Sequence, residues 1–335
     1  MSQLVLTAVG GDLSETLSTS DDTVPAPNAD ELVVAVEAAP VNNADVLFAA
    51  GWFGVHPQVP SAMGAEGVGR VIEAGPEADQ ALIGRRVLIL PTFVQGTWAD
   101  RVVIPARSAI PVGDTADALQ LAMLPVNPAT AYALLHDYVA LSPGDWIGLN
   151  LANSAVGQYV ITLAKRAGIK TLAVVRREDA VKQVRESGAD VVLLDGQDLG
   201  SRIADALGGS ELKLFLEGTG SPEQVARVSS SVEAGGSVVA FSSATGQTPA
   251  IPLPDLIYRS VSLRSFFIMS WLGNTPRAEL ERIYGELASL VESGTLHASV
   301  EATYPLNEHR EALAHAQRPG RTGKILFTPG TRKNA

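Results

Sequence analysis

The feature that most limits the fold of this chain is the rhythm between residues 145 and 265. Short apolar runs alternate there with segments of helical period. They are "DWIGLNL" (145–151), "VGQYVITLAKRAG" (156–168), "KTLAVVR", "EDAVKQVRESG", "ADVVLLDG", "SRIADALGG", "LKLFLEGTG", "SPEQVARVSSSVEAGG", "SVVAFSS" and "VSLRSFF". In the first helical segment Val156, Val160, Leu163, Ala164 and Ala167 share one face, and Gly168 ends the helix. The stretch 221–236 reads as a third long helix. Strands joined by crossover helices pair in parallel. Little alternation within the strands fits burial on both faces. The expected fold class is therefore α/β, a doubly wound parallel sheet.

The flanks differ. Residues 1 to 120 carry strand-like runs such as "ELVVAVEAAPV" (31–41), "GVGRVIEAG" (67–75) and "RRVLILP" (85–91), with Gly, Pro, Asn and Asp between them. Short strands with frequent turns predict a small, mainly-β, barrel-like domain. From residue 272, "PRAELERIYGELASLVESG" sets Leu280, Ile283, Leu287 and Leu290 on one helical face. Strand-like "ASVEATYPL", helical "NEHREALAHAQ" and a closing strand, "GKILFTPG", follow. A length of 335 residues suits two domains. We expect residues 1–126 and 272–335 to form one, and residues 127–271 the other.

Composition removes several functions. A net charge of −11 with no Lys/Arg-rich block argues against nucleic-acid binding. With no cysteine, disulfides, thiolate metal sites and thiol catalysis are excluded. No apolar run approaches the roughly 18 residues of a membrane span. The start, "MSQLVLTAVGG", lacks the form of a secretory signal. The expected location is the cytoplasm.

The loop "LNLANSAVGQ" (149–158) sits between the first strand and first helix of the alternating region. A dinucleotide-binding turn belongs at that place, with its pyrophosphate on the helix N-terminus. Such turns use three glycines, and only Gly157 is present. Asn153, Ser154 and Ala155 fill the loop, and Asn tolerates left-handed backbone. The alternative is an ordinary Asn/Ser-capped helix, but the βαβ setting favours cofactor binding. An Asp or Glu about 20 residues on would select NAD. Arg176 and Arg177 stand there instead, and two guanidiniums suit the 2′-phosphate of NADPH. The alternative is a solvated basic helix entry.

Nearly end to end, the chain resembles the medium-chain dehydrogenase/reductase superfamily. "APVNNADV" (39–46), "GAEGVGRV" (64–71), "LPVNPATAYALL" (124–135) and "SLVESGTLHASVEATYPLNEHREALAHAQ" (289–317) look like its landmarks in the expected order. Within it, the closest likeness is to the mitochondrial-type 2-enoyl thioester reductases. Asn150, Asn153, Ser154, Val156 and Gly157 fit that group's nucleotide turn. "QGTWADRVV" (95–103), "VNPATAY" (126–132) and "LRSFFIMSW" (263–271) resemble its other motifs. The resemblance implies a GroES-like catalytic domain, a Rossmann domain and a homodimer. It implies that Asn127, Asn153, Ser154, Ala155 and Val156 line NADPH. Phe241, Ser242, Ser243 and Ala244, with Phe266, Phe267 and Ile268, would flank the nicotinamide. Lys324 would approach from the far side of the cleft. Core packing for the two phenylalanines and a surface position for Lys324 are the plain alternatives.

Zinc-dependent members of the superfamily hold metal with Cys and the His of a Gly-His-Glu motif. Here that motif is Gly64-Ala65-Glu66, so a tetrahedral Cys/His site cannot form. What remains is hydride transfer to an activated C=C or a quinone. In the enoyl thioester reductases a Tyr in Gly-Asn-Tyr-Gly acts as the acid. The corresponding stretch is Gly51-Trp52-Phe53-Gly54, and Phe53 has no proton to give. Phe53 then reads as a wall of the substrate cleft. His56 is a candidate donor, directly or through water, or else a plain loop histidine. Asn42 and Thr130 are polar candidates beside the acceptor carbonyl, and Asn42 has the alternative of satisfying loop backbone. Glu66 is expected to buttress the catalytic domain. The expected function is NADPH-dependent, zinc-independent reduction of an enoyl thioester, enone or enal. NADPH:quinone oxidoreductase is the alternative, and a non-catalytic nucleotide-binding relative is a third reading.

Overall fold

The structure is a computed structural model that describes residues 2–21, 24–52, 56–92, 96–318 and 320–330. The chain divides into two units, Met1–Val126 with Asn274–Ala335, and Asn127–Gly273. It opens with β1 (Gln3–Leu6), α1 (Leu13–Thr16), β2 (Leu17–Ser20), β3 (Glu31–Pro40), α2 (Asn43–Ala49), β4 (Ser61–Ala62), β5 (Gly67–Ala74), β6 (Arg86–Ile89), β7 (Arg101–Pro105), β8 (Ala109–Pro111) and α3 (Ala118–Ala122). The long strand β3 is the hub, pairing antiparallel with β5 on one side and β7 on the other. β5 continues to β6, and β6 to β8. β2, β1 and β4 make a separate three-stranded sheet.

The second unit holds α4 (Asn127–His136), β9 (Trp146–Leu149), α5 (Ala155–Arg166), β10 (Lys170–Val175), α6 (Glu178–Glu186), β11 (Val191–Leu194), α7 (Leu199–Leu207), β12 (Leu212–Glu217), α8 (Pro222–Ser229), β13 (Val232–Ala240), α9 (Leu253–Tyr258) and β14 (Ser262–Ser265), with most of α10 (Ile268–Asn274). Its six strands are parallel, in the order β11-β10-β9-β12-β13-β14. The order reverses between β9 and β12, and a doubly wound sheet binds its ligand at the carboxyl ends flanking such a reversal.

The chain then returns to the first unit with α11 (Arg277–Glu292), β15 (Val300–Tyr304), α12 (His309–Ala316) and β16 (Lys324–Phe327). β16 lies parallel to β15 and antiparallel to β3, with Phe327 opposite Ala39. Trp98 and Phe327 are both fully buried and meet edge to face, ring centroids 5.2 Å apart. Such a pair adds roughly 0.5–1.5 kcal/mol beyond its buried area. The Trp98 indole N–H is satisfied by the Pro40 carbonyl at 3.1 Å.

Two expectations are corrected. The helix expected over 221–236 stops at Ser229, and β13 begins at Val232. The break has a physical cause. The Arg259 guanidinium caps the Ser229 and Val232 carbonyls, and Gly235 has a φ of 81° that no helix accepts. In α5 Val160, Leu163 and Ala164 are buried as expected, together with Gly157, Tyr159 and Ile161, while Ala167 is exposed and Val156 half-buried.

Candidate active site

The nucleotide turn forms without three glycines. Asn150 follows β9, Leu151 takes a left-handed φ of 48°, and the Ser154 amide returns to the Leu151 carbonyl at 2.8 Å. Ser154 caps α5, its Oγ accepting from the Gly157 amide at 3.1 Å. A Cβ on Gly157 would lie 2.6 Å from the Ala152 carbonyl oxygen, so only glycine fits this contact. The Asn153 carbonyl accepts from Gln158 Nε2 at 3.2 Å. Ala155 and Val156 form the first turn of α5, half-buried. The free N–H groups and dipole of this helix end suit a pyrophosphate.

The other expected cofactor residues of this unit lie at neighbouring strand ends. Arg176 and Arg177 follow β10 and are exposed, and Arg177 pairs with Asp179 at 3.2 Å. An exposed pair of this kind is weak, so a phosphate can displace it. Phe241 follows β13, its amide on the Glu217 carbonyl at 2.9 Å. Ser242 and Ala244 are exposed, and Ser243 is half-buried with its hydroxyl on the Gln247 carbonyl at 3.0 Å. Phe266 follows β14 and donates its amide to Ala240 at 2.8 Å. Phe266 and Ile268 are half-buried and Phe267 is exposed, so none of the three is core. Asn127 and Thr130 stand one turn apart at the start of α4. The Asn127 Nδ2 is buried without a hydrogen-bond partner among the described residues. An orphaned buried donor fits a site completed by a ligand. Together these features fit a dinucleotide.

In the first unit, Lys324 opens β16 and donates Nζ to the Asn42 Oδ1. Asn42 donates Nδ2 to Glu66 Oε1 at 2.7 Å, and Glu66 Oε2 accepts the Val126 amide at 2.8 Å. Asp45, three residues into the capping box that starts α2, accepts the Asn42 amide at 2.8 Å and the Ala65 amide at 3.1 Å. Glu66 and Asp45 are buried, so desolvation raises both carboxyls, Asp45 to about 6. Burial lowers the Lys324 ammonium, and the Glu66 charge opposes that shift. Two carboxyls thus face one ammonium, a set that retains protons near neutrality. Asn42 is held at both ends of its amide, which leaves one Nδ2 hydrogen for any further partner.

His56 is exposed and lies against Gly51. No hydrogen bond joins it to Asn42, Glu66 or Lys324 among the described residues. Phe53 falls outside the described residues. Among those residues, no group of three His, Cys, Asp or Glu is placed to hold a metal ion.

Sequence reasoning missed two things. Asp45 stands inside "APVNNADV", but the sequence assigns it no role. The set that Asn150 joins beneath the nucleotide turn, Glu217, Thr219 and Gln224, was missed too. Its only signal is an acid closing an apolar strand, "LFLEGTG".

The Zinc-binding dehydrogenase family profile matches residues 155–287, and the Alcohol dehydrogenase GroES-like domain profile matches residues 28–114. The mitochondrial enoyl-[acyl-carrier-protein] reductase of Caenorhabditis elegans is 33% identical over 293 residues, which covers 86% of this chain and 83% of that protein. Two solved structures share the fold. Escherichia coli quinone oxidoreductase, solved with NADPH, superposes with a TM-score of 0.88 at 23% identity over 98% of this chain and 100% of its own. The mitochondrial 2-enoyl thioester reductase Etr1p/Etr2p heterodimer of Candida tropicalis gives 0.83 at 23% identity over 98% and 99%. Its relatives, its GroES-like and Rossmann units and its Ala65 in place of a metal-binding histidine make this chain a zinc-free member of the medium-chain dehydrogenase/reductase superfamily, similar to the mitochondrial enoyl reductases.

Proposed function

We propose that this chain is an NADPH-dependent, zinc-independent oxidoreductase that reduces the activated double bond of an enoyl thioester, enone or enal. The observation that carries the reading is the dinucleotide cradle at 150–157 with the unpartnered Asn127 Nδ2, in a chain whose described residues offer no metal-ligand set. The names of the curated relatives supply the acceptor class.

Bound NADPH supplies the hydride. The chain's own residues have three tasks. Asn153 and Ser154 shape the turn, and Ala155 and Val156 present the first helix N–H groups to the pyrophosphate. Arg176 and Arg177 take the 2′-phosphate. Asn42 is the polar candidate for the acceptor carbonyl, and Lys324 with Glu66 fixes its amide. Reduction of a C=C leaves charge on the carbonyl side, and the α-carbon needs a proton. His56 is the candidate donor, directly or through water. Phe53 has no proton to donate.

Phe53 also favours a second reading, NADPH:quinone oxidoreduction, because a quinol draws its protons from water. Following NADPH oxidation over crotonyl thioesters, enones, enals and quinones separates the two. Thioester or enone turnover supports the proposal. Turnover of quinones alone supports the second reading, and binding without turnover indicates a non-catalytic relative.

The reading includes a homodimer. Strand β14 is a sheet edge, and Leu253, Leu256, Ile257, Tyr258 and Leu263 beside it are exposed apolar residues. An unpaired strand edge with an adjoining apolar patch suits a second copy.

A further inference from the structure

The two cofactor-facing segments of the second unit hang on one buried polar group. Glu217 closes β12 with no solvent exposure, and Asn150, just past β9, is 1% exposed. Asn150 donates Nδ2 to Glu217 Oε1 at 2.8 Å and to Gln224 Oε1 at 2.6 Å, while its Oδ1 accepts the Gly218 amide at 2.6 Å. Glu217 Oε1 also accepts the Thr219 amide at 2.8 Å and its hydroxyl at 2.5 Å. Glu217 Oε2 accepts the Gly220 amide at 2.9 Å. The 218–220 loop is thereby folded inward onto one carboxylate.

That loop carries both segments. Asn150 runs directly into the strained Leu151 and the nucleotide turn. On the other side, the Ala244 amide rests on the Gly218 carbonyl at 3.2 Å, and the Thr245 amide on Thr219 at 2.9 Å. A Cβ on Gly218 would lie 2.8 Å from the Phe241 ring, and one on Gly220 would lie 2.5 Å from Ser243 Oγ. The loop is therefore packed against 241–244 without slack.

A buried carboxylate is a costly way to join two strand ends. Apolar residues of similar volume usually serve stability as well or better. A fully satisfied buried network does fix one arrangement of the backbone around it. We propose that Asn150 and Glu217 are positioning residues: they hold the phosphate-binding turn and the 241–244 segment in one fixed relation, so that a dinucleotide engages both at once. This rests on the reading of the unit as a dinucleotide site.

The test titrates Asn150→Ala and Glu217→Gln with NADPH and with adenosine 2′-monophosphate, which keeps the 2′-phosphate assigned to Arg176 and Arg177 but lacks the pyrophosphate and the nicotinamide half. Thermal unfolding checks that each variant is folded, and the isosteric Glu217→Gln serves alone if Asn150→Ala does not fold. The expected result is a fall in NADPH affinity of about tenfold or more, with the adenosine 2′-monophosphate affinity changed less than about twofold. Parallel loss of both ligands, or unchanged NADPH affinity in a folded variant, overturns the proposal. A wild type that prefers NADH overturns the reading of Arg176 and Arg177 alone. The same variants are then titrated with NADH against adenosine, with the same split expected. A wild type that binds neither dinucleotide overturns both.

Discussion

Lys324 and Asn42, 282 positions apart in the sequence, meet through Nζ and Oδ1, and Glu66 holds the other end of the same amide. One half-buried ammonium thus stands against two buried carboxyls, Glu66 and Asp45. Removing it leaves both without a counter-charge. Lys324→Ala is expected to lose about 3–5 kcal/mol of stability at pH 8. Urea unfolding checks this, and the double variant Lys324→Met with Glu66→Gln is expected to recover part of the loss.

Asp45 gives a pH signature. Its carboxyl rises from an ordinary 3.8 to about 6 because it is buried. Between those values the folded protein keeps a proton that the unfolded chain has released. The stabilising contribution is full below about pH 4 and is lost as the pH rises through about 6. Asp45→Asn cannot titrate. From pH 4 to pH 7 it is therefore expected to lose less stability than the wild type, by about 2 kcal/mol. Unfolding free energies measured in parallel across that range decide it.

The nucleotide turn depends on Gly157. A methyl group there meets the Ala152 backbone at 2.6 Å, and backbone cannot swing aside as a side chain can. Gly157→Ala is expected to cost about 1–3 kcal/mol of stability and to weaken NADPH binding. Thermal unfolding and fluorescence titration measure the two effects.

Arg176→Ala with Arg177→Ala is expected to weaken NADPH binding by about ten- to hundredfold, given roughly 1.5–3 kcal/mol for a hydrogen bond to a charged group. NADH binding is expected to stay within about twofold. Tighter NADH than NADPH binding in the wild type would contradict the assignment.

Phe53 is the position at which the resemblance places an acid. Phe53→Tyr is expected to raise turnover of a crotonyl thioester, within the roughly 10²-fold lower range for a positioned acid, and to leave quinone turnover unchanged. Steady-state kinetics on both acceptors check it.

The sheet was legible because its strands and helices each carry their own period, and local spacing survives folding. The helix end at Ser229 was not. It is set by Arg259, which reaches the Ser229 and Val232 carbonyls from 30 and 27 positions away. In the site, Asn153, Ser154 and Gly157 were legible because a turn between strand and helix is a local problem. The partnership of Lys324 with Asn42 was not, because it exists only once β16 lies beside β3. Glu217 was missed for the same reason: Asn150 is legible as part of the nucleotide turn, but its partner looks ordinary at its own strand end, and β9 and β12 become neighbours only in the sheet.

The most direct test of the central claim is the rate of NADPH oxidation by the purified chain with a crotonyl thioester, in the presence of a zinc chelator. The account predicts turnover with NADPH that exceeds turnover with NADH and is unchanged by the chelator. Loss of turnover on chelation, or turnover with NADH in preference to NADPH, would contradict it.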